Sequence, residues 1–291
     1  MTLSSVSAQS NNQPERAAFS SVCSKLKPEL LDKFDLDQDK GPDTQPWAQL
    51  EGKVGKKADL AMVILAGGIG DRFGAVGGKQ LFEILGKPVL SWAIEAFDAC
   101  EQVGHIVVVV PEDRLEEYKE RAIEPYNYVT PISIAHAGMV RQVSAMNGIS
   151  AVPDKFKYIG IHDGARPLIQ PQLVSHALNV LKGVTQADGV VVGHPAIDTM
   201  KVIEGNKVVG TPDRSMFWIA QTPQIFHANV IRSAHSTAIS EGYIGTDDSC
   251  LVERIGGEII LVNSPRDNIK VTVPEDLGPV SAALEKRLLE R

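Results

Sequence analysis

From Ala58 onward, short apolar runs recur between longer segments whose apolar residues fall at helical spacing. The runs are Leu60–Ala66, His105–Val110, Ile132–Ala135, Tyr158–His162 and Gly189–Gly193. Runs that are apolar at nearly every position suit parallel strands covered on both faces. Between them, Val89–Cys100, Arg114–Ala122, Val140–Ser150 and Gln172–Lys182 carry the period expected of amphipathic helices. The alternation predicts an α/β fold, a wound, mostly parallel sheet with helices on both sides. The regularity breaks after Gly193. Thr199–Ile203 and Lys207–Val209 flank Glu204-Gly205-Asn206, which predicts a β-hairpin inserted into the domain as an arm spanning about residues 194–216. Thr199 and Lys201 fall two apart on its outgoing strand and so face one side; Arg214 falls on the return. Helices at Ala228–Ser240 and Asp248–Ile255 and a strand at Glu258–Val262 follow. A last helix runs from Pro274 to Leu289, with proline in its first turn and Glu275 and Asp276 at its positive end.

Residues 1–57 have a different texture. The first fourteen are polar and poor in bulky apolar side chains, and Asp35 to Asp43 is acidic. This stretch reads as a disordered N-terminal extension preceding a catalytic domain over 58–291. Its serine-rich start suggests a plastid transit peptide, but one early arginine (Arg16) and frequent acids from Glu29 onward favour a plain appendage. With 291 residues, 43% hydrophobic and 22% charged, the chain can bury a large core. Its net charge of −7 argues against general nucleic-acid binding while leaving room for a local basic pocket. Three scattered cysteines, Cys23, Cys100 and Cys250, exclude a zinc knuckle and fit a reducing, cytoplasmic setting. No apolar run approaches the roughly 20 residues of a membrane span.

The densest chemistry lies in Ala66-Gly67-Gly68-Ile69-Gly70-Asp71-Arg72-Phe73-Gly74, followed by Lys79-Gln80, directly after the first strand. Glycines let backbone N–H groups approach an anion, and Arg72 and Lys79 add fixed positive charge. The rival reading is a dinucleotide fingerprint. It requires an acidic residue about 20 positions on, at the end of the second strand, and that strand ends at Val110-Pro111, about twice as far along. A nicotinamide-linked oxidoreductase is therefore the minority reading.

A second constellation is His162-Asp163-Gly164-Ala165-Arg166-Pro167. Asp163 ends a strand, where open α/β sheets bind ligands, and it is either a turn residue or a ligand for Mg²⁺. Beside the glycine loop, metal binding is favoured. His162 reads as a packing histidine more than a base, and Arg166 as either a phosphate contact or a brace on Asp163. Third, Gly138 precedes a helix that carries Arg141 and Ser144 three apart on one face. Arg141 is either a ligand contact or a solvated helix residue. Lys270, in Arg266-Asp267-Asn268-Ile269-Lys270-Val271-Thr272, reads as an ordinary residue of a short strand.

Taken in order, these motifs resemble those of the 2-C-methyl-D-erythritol 4-phosphate cytidylyltransferase family of the non-mevalonate isoprenoid pathway. The resemblance runs from about Ala58 to the C-terminus. Besides the three constellations it includes Asp198-Thr199-Met200-Lys201, Asp213-Arg214, Gln221-Thr222-Pro223-Gln224-x-Phe226, Thr246-Asp247-Asp248 and Asn268-Ile269-Lys270-Val271-Thr272. It implies a Rossmann-like sheet of the nucleotidyltransferase A type and a homodimer with shared active sites. It also implies residue roles. Ala66, Gly67, Gly68 and Gly70 would hold CTP, with Gly138, Arg141 and Ser144 around the nucleoside. Arg72 and Lys79 would meet the triphosphate, Asp163 would hold Mg²⁺ or another divalent cation, and Lys270 would contact phosphate. Thr199 and Arg214 would reach across on the arm to the polyol phosphate in the neighbouring site.

The chain departs from the family at three glycines. Alanine is usual where Gly67 and Gly164 stand, and proline where Gly78 stands; the substitutions are expected to loosen the loop without removing a functional group. The Gly67 form also occurs in relatives that make CDP-ribitol, so ribitol 5-phosphate is the alternative acceptor. Those relatives usually lack the Asp-Thr-x-Lys arm and the tryptophan before Gln-Thr-Pro-Gln. Both Asp198-Thr199-Met200-Lys201 and Trp218 are present here.

Overall fold

The first strand of the domain, β2 (Leu60–Leu65), is buried at all six positions, and β5 (Val103–Val110) at all eight. Strands of this kind must be covered on both faces, and their side chains separate cleanly. Leu60, Met62 and Ile64 point into one core, while Ala61, Val63 and Leu65 point into the other. In this computed structural model, residues 48–49, 58–68 and 78–290 are described.

The main sheet also contains β1 (Ala48–Gln49), β6 (Ile132–His136), β7 (Tyr158–Asp163), β8 (Gly189–Pro195), β11 (Trp218–His227) and β12 (Ile259–Asn263). Its order is β1-β6-β5-β2-β7-β11-β8-β12. All contacts are parallel except those of β11 with β7 and β8 and of β1 with β6. β1 lies inside the stretch read as an N-terminal extension and pairs Ala48 with Ile134. The rest of that stretch lies outside the described residues.

Two helical layers cover the sheet. On one side α1 (Val89–Asp98) and α4 (Pro171–Gly183) supply Leu90, Ile94, Phe97, Val174 and Leu178. On the other, α3 (Arg141–Ser150), α5 (Ala228–Ser240) and α6 (Ser249–Arg254) supply Ala145, Ile149, Ile231, Ala234 and Leu251. The short α2 (Leu115–Tyr118) widens into a π-helical turn over Lys119–Ile123. The last helix, α7 (Leu277–Leu289), packs Val280 and Leu284 against Ile84 of β3 (Glu83–Ile84) and Val89 at the start of α1. β3 pairs with β4 (Lys87–Pro88).

From β2 the chain winds one way to β5 and β6, then crosses back through α3 to β7 on the other side of β2. The C-terminal ends of β2 and β7 thus flank the point where strand order reverses, the place where open α/β sheets leave a crevice.

The predicted elements appear within a few residues of their expected bounds, with three differences. β11 has no counterpart in the sequence reading. It runs antiparallel inside the sheet, and its pairing with β8 skips Gln221, Thr222 and Pro223 between Ala220 and Gln224. A proline has no N–H for the ladder, so a central strand that contains one does not look like a strand in the sequence. Lys270 lies in extended chain outside any strand, tied by Val271 N–H to the Ala165 carbonyl (2.8 Å). The hairpin, β9 (Val202–Glu204) and β10 (Lys207–Gly210), turns at Gly205 as predicted. Its outgoing strand begins later than expected, however, so Thr199 and Lys201 precede β9; the return strand starts at Lys207 as predicted, and Arg214 lies beyond it, opening a 3₁₀ turn, Arg214–Met216.

Candidate active site

The crevice is a cleft of about 420 Å³. Gly67 and Gly68 enter from the end of β2, Lys79 and Gln80 from a 3₁₀ turn, and Gly138, Arg141 and Ser144 from the start of α3. Asp163 enters from the end of β7, with Lys270 and Thr272 opposite. Among the described residues, glycine backbone, three cations and one carboxylate therefore converge on one space, from segments more than 200 residues apart in the chain.

Gly138, Arg141 and Ser144 form a single device. Ser144 Oγ accepts from Gly138 N–H (2.9 Å) and donates to the Val140 carbonyl (3.2 Å), closing the turn that leads into α3. Val140 at the N-cap supplies no side-chain cap, so the first-turn amides remain available to an anion.

Asp163 is the electrostatic centre. It is 8% exposed. Lys270 Nζ lies 2.8 Å from Oδ2, Arg141 Nε 3.4 Å from Oδ1 and Arg166 Nε 3.7 Å from Oδ2. Burial alone would raise the carboxyl; Arg141, Lys270 and Arg166 outweigh it and hold Asp163 well below the usual carboxylate range. Arg166 thus braces the loop: its Nη1 also donates to the Asn268 carbonyl (2.8 Å).

His162 is a packing residue, as the pattern favoured. It is fully buried, meets Phe97 edge-on at 4.9 Å, and burial lowers its pKa to about 3. Its Nε2–H donates to the Arg166 carbonyl (3.2 Å), which leaves Nδ1 to accept from Thr222 Oγ1 (3.1 Å). Thr222 Oγ1 accepts in turn from the Asp163 N–H (3.0 Å). This chain of bonds fixes the backbone that carries Asp163. Thr222 belongs to a motif of the sequence that carried no residue role; a threonine beside the proline of β11 was the available signal.

At all three extra glycines the local geometry suits a residue without a side chain. A Cβ added at Gly67 would overlap that of Ala137, and one at Gly164 would lie 3.0 Å from the Leu65 carbonyl oxygen. Gly78 has φ +72°, a conformation that proline cannot adopt. Of the other expected site residues, Ala66 is buried, and its carbonyl accepts from Tyr118 Oη (3.0 Å). Gly70 and Arg72 lie outside the described residues. Thr199 and Arg214 sit on the arm and do not line the cleft of their own chain. Arg214 Nη1 donates to the Ile197 carbonyl (2.7 Å).

Among the described residues, no cluster of three or more His, Cys, Asp or Glu side chains forms a self-sufficient metal cage. Asp163 is the one carboxylate lining the cleft among them. A lone carboxylate fits Mg²⁺, which keeps several waters and completes its shell with substrate phosphates. No described helix is long and apolar enough to cross a membrane.

The family model for 2-C-methyl-D-erythritol 4-phosphate cytidylyltransferase matches residues 60–286. The chain belongs to this family. It is 40% identical over 229 residues to the cytidylyltransferase of that name from Caldanaerobacter subterraneus subsp. tengcongensis, covering 78% of this chain and all of that one. The protein of the same name from Geotalea uraniireducens is 37% identical over 234 residues, 80% of this chain and 99% of its own. The crystal structure of the cytidylyltransferase from Thermus thermophilus superposes with a TM-score of 0.63 at 26% identity, over 78% of this chain and 99% of that chain. The 4-diphosphocytidyl-2C-methyl-D-erythritol synthase from Anaerococcus prevotii, at 24% identity and a TM-score of 0.68, covers 78% of this chain and 96% of its own and supports the fold. Family membership and the absent acidic residue together dispose of the oxidoreductase reading.

Proposed function

We propose that this cytidylyltransferase-family chain joins CTP to 2-C-methyl-D-erythritol 4-phosphate, giving 4-(cytidine 5′-diphospho)-2-C-methyl-D-erythritol and pyrophosphate. The observation that carries the reading is the convergence of glycine amides, Lys79, Arg141, Lys270 and Asp163 on one cleft at the strand-order reversal. A phosphate oxygen of the methylerythritol phosphate attacks the α-phosphorus of CTP. The new O–P bond forms as the bond from that phosphorus to the bridging oxygen of the β-phosphate breaks. With a second phosphate pKa near about 6, the nucleophile is already mostly dianionic at neutral pH. No general base is required, and His162, next to Asp163, is buried with both ring nitrogens engaged.

The difficulty is to bring two anions together and disperse charge as pyrophosphate leaves. Ala66, Gly67, Gly68 and Gly70 would hold the nucleotide through backbone contacts, with Gly138, Arg141 and Ser144 beside the nucleoside. Lys79, Arg72 and Lys270 meet the phosphates. Asp163 would hold Mg²⁺ arriving with the triphosphate, which when bound spreads charge over the leaving oxygens.

The arm completes the site in a homodimer. Val202, Ile203, Val208 and Val209 are each more than half exposed, on a two-stranded ribbon of a kind that is marginal alone in water. A second copy covering this ribbon would bring Thr199 and Arg214 to the polyol phosphate. The free thiols Cys100 and Cys250 suit a reducing compartment such as the cytoplasm.

Pyrophosphate release from CTP, measured with methylerythritol 4-phosphate and with ribitol 5-phosphate as acceptors, tests the reading. A site built to bond particular hydroxyls rejects a mispaired analogue by about 10⁴-fold. A kcat/KM that favours ribitol 5-phosphate would move the chain to that acceptor and leave the cleft assignments standing.

A further inference from the structure

Asp248 lies at the start of α6, behind the cleft, and is 1% exposed. It belongs to Thr246-Asp247-Asp248, a motif to which neither the cleft nor the arm assigns a role. Its Oδ2 accepts from Arg141 Nη1 at 2.7 Å, and its Oδ1 lies 3.1 Å from His235 Nε2, itself 2% exposed. Arg141 is therefore shared between two buried carboxylates. The shorter contact goes to Asp248; Asp163 receives only the Nε at 3.4 Å.

The loop that carries Asp248 is bolted down from two sides. Gln224 of β11 accepts from the N–H groups of Asp248 (3.2 Å) and Ser249 (3.1 Å) and donates to Asp247 Oδ2 (2.8 Å). Gln142, next to Arg141, accepts from Gly245 N–H (2.8 Å) and donates to the Tyr243 carbonyl (3.0 Å).

Charge explains why a second carboxylate belongs here. Arg141, Arg166 and Lys270 place three cations around Asp163. Were Arg141 free, its planar fork could fold over Asp163 and form a closed bidentate pair. Such a pair would withdraw the guanidinium from a ligand and cover the carboxylate. Asp248 draws the fork the other way, so Arg141 stays spread along the cleft wall.

We infer that Asp248 is a positioning residue that acts on nucleotide binding through Arg141, with His235 and the Gln224 clamp fixing its carboxylate. This rests on the placement of Arg141 in the CTP site proposed above. Asp248 does not itself line the cleft.

The test is a double-mutant cycle read by calorimetric CTP affinity in the full-length protein, with melting temperature recorded alongside. Asp248→Asn keeps the volume and removes the charge. In the wild-type background it should weaken CTP binding by about tenfold, and in the Arg141→Ala background it should change CTP affinity no further. Equal weakening in both backgrounds would mean that Asp248 acts through the fold and overturns the inference, with Arg141's own assignment intact. Wild-type affinity in Asp248→Asn overturns it as well. Wild-type affinity in Arg141→Ala would remove Arg141 from the nucleotide site and take this inference with it. Should Asp248→Asn not fold, Arg141→Lys serves, because a lysine keeps the charge but cannot serve both carboxylates at once. It should lose CTP affinity to a similar degree; unchanged affinity would show that the shared fork is not needed.

Discussion

The cleft and the arm solve opposite problems. Around Asp163 almost every polar group is answered within the chain: the carboxylate by three cations, its backbone by Thr222 and Thr222 by His162. The arm instead presents Val202, Ile203, Val208 and Val209 to solvent on a ribbon of two short strands. Repelling phosphates have to be held together by cations already in place, since reorganising them during the reaction would cost part of the stabilisation. Around Asp163 the cations are already in place. The ribbon keeps its apolar residues in solvent, and the proposed contact with a second copy rests on that exposure.

The largest effects should come from breaking the cleft. Lys79→Ala should lower kcat by about 10²–10³-fold, the loss expected for one preorganised charge-stabilising group, with an unchanged far-ultraviolet spectrum. Turnover near wild type in the folded variant would make Lys79 an ordinary surface lysine. Next in size is a test that joins the two regions. Lys79→Ala and Arg214→Ala are each expected to be nearly inactive alone. If the arm works in a neighbour's site, mixing and exchanging the two should restore about a quarter of the sites, because half of the random dimers carry one site with both residues intact. Exchange that is confirmed by mass but gives no activity would confine each site to one chain.

The legibility of the molecule follows the same division. Parallel strands buried on both faces, such as Leu60–Leu65, announce themselves as apolar runs, and glycines, Lys79 and Asp163 at their ends mark a ligand crevice. β11 was hidden because Thr222 and Pro223 interrupt the apolar pattern in mid-strand. Asp248 was hidden for another reason. A buried ion pair between residues 107 positions apart leaves no local period, so Arg141 and Asp248 appear as two separate polar residues. The fit of glycine at Gly67 and Gly164 was hidden because composition shows that a Cβ is missing but not whether there was room for one.

Acidification should separate the regions at the level of stability. Burial lowers His162 to about 3 and, with a smaller contribution from Lys155, lowers His105 to about 4, against 6.5 in an unfolded chain. The unfolded state therefore binds protons that the native state refuses, and stability falls as pH drops from about 6.5 toward 4. At pH 5 each histidine should have cost about 2 kcal/mol relative to neutral pH. Urea denaturation at pH 7 and pH 5 measures the sum, and His105→Asn should remove about half of the difference. Solvent-exposed arm substitutions such as Val208→Thr should leave the pH dependence as it was. A pH-independent midpoint would mean that the two rings can protonate in the native state.

The smallest expected effect tests packing most directly. At Gly67 the cleft floor comes so close to the chain just beyond β6 that an added Cβ would occupy the place of the Ala137 methyl group. In the arm, a Cβ on Gly210 would meet nothing nearer than Val202 Cβ at 3.8 Å, an ordinary contact. The same one-carbon change should then have different consequences. Gly67→Ala overpacks the site and should cost about 1–3 kcal/mol of stability, together with weaker CTP binding as the loop backs away. Gly210→Ala should be close to neutral. Because the obstacle is one methyl group, Gly67→Ala combined with Ala137→Gly should recover most of both losses, and the family's usual alanine at the first position becomes tolerable once the second methyl is gone. Additive damage in the double variant would mean that Gly67 is needed for its backbone freedom rather than for want of space.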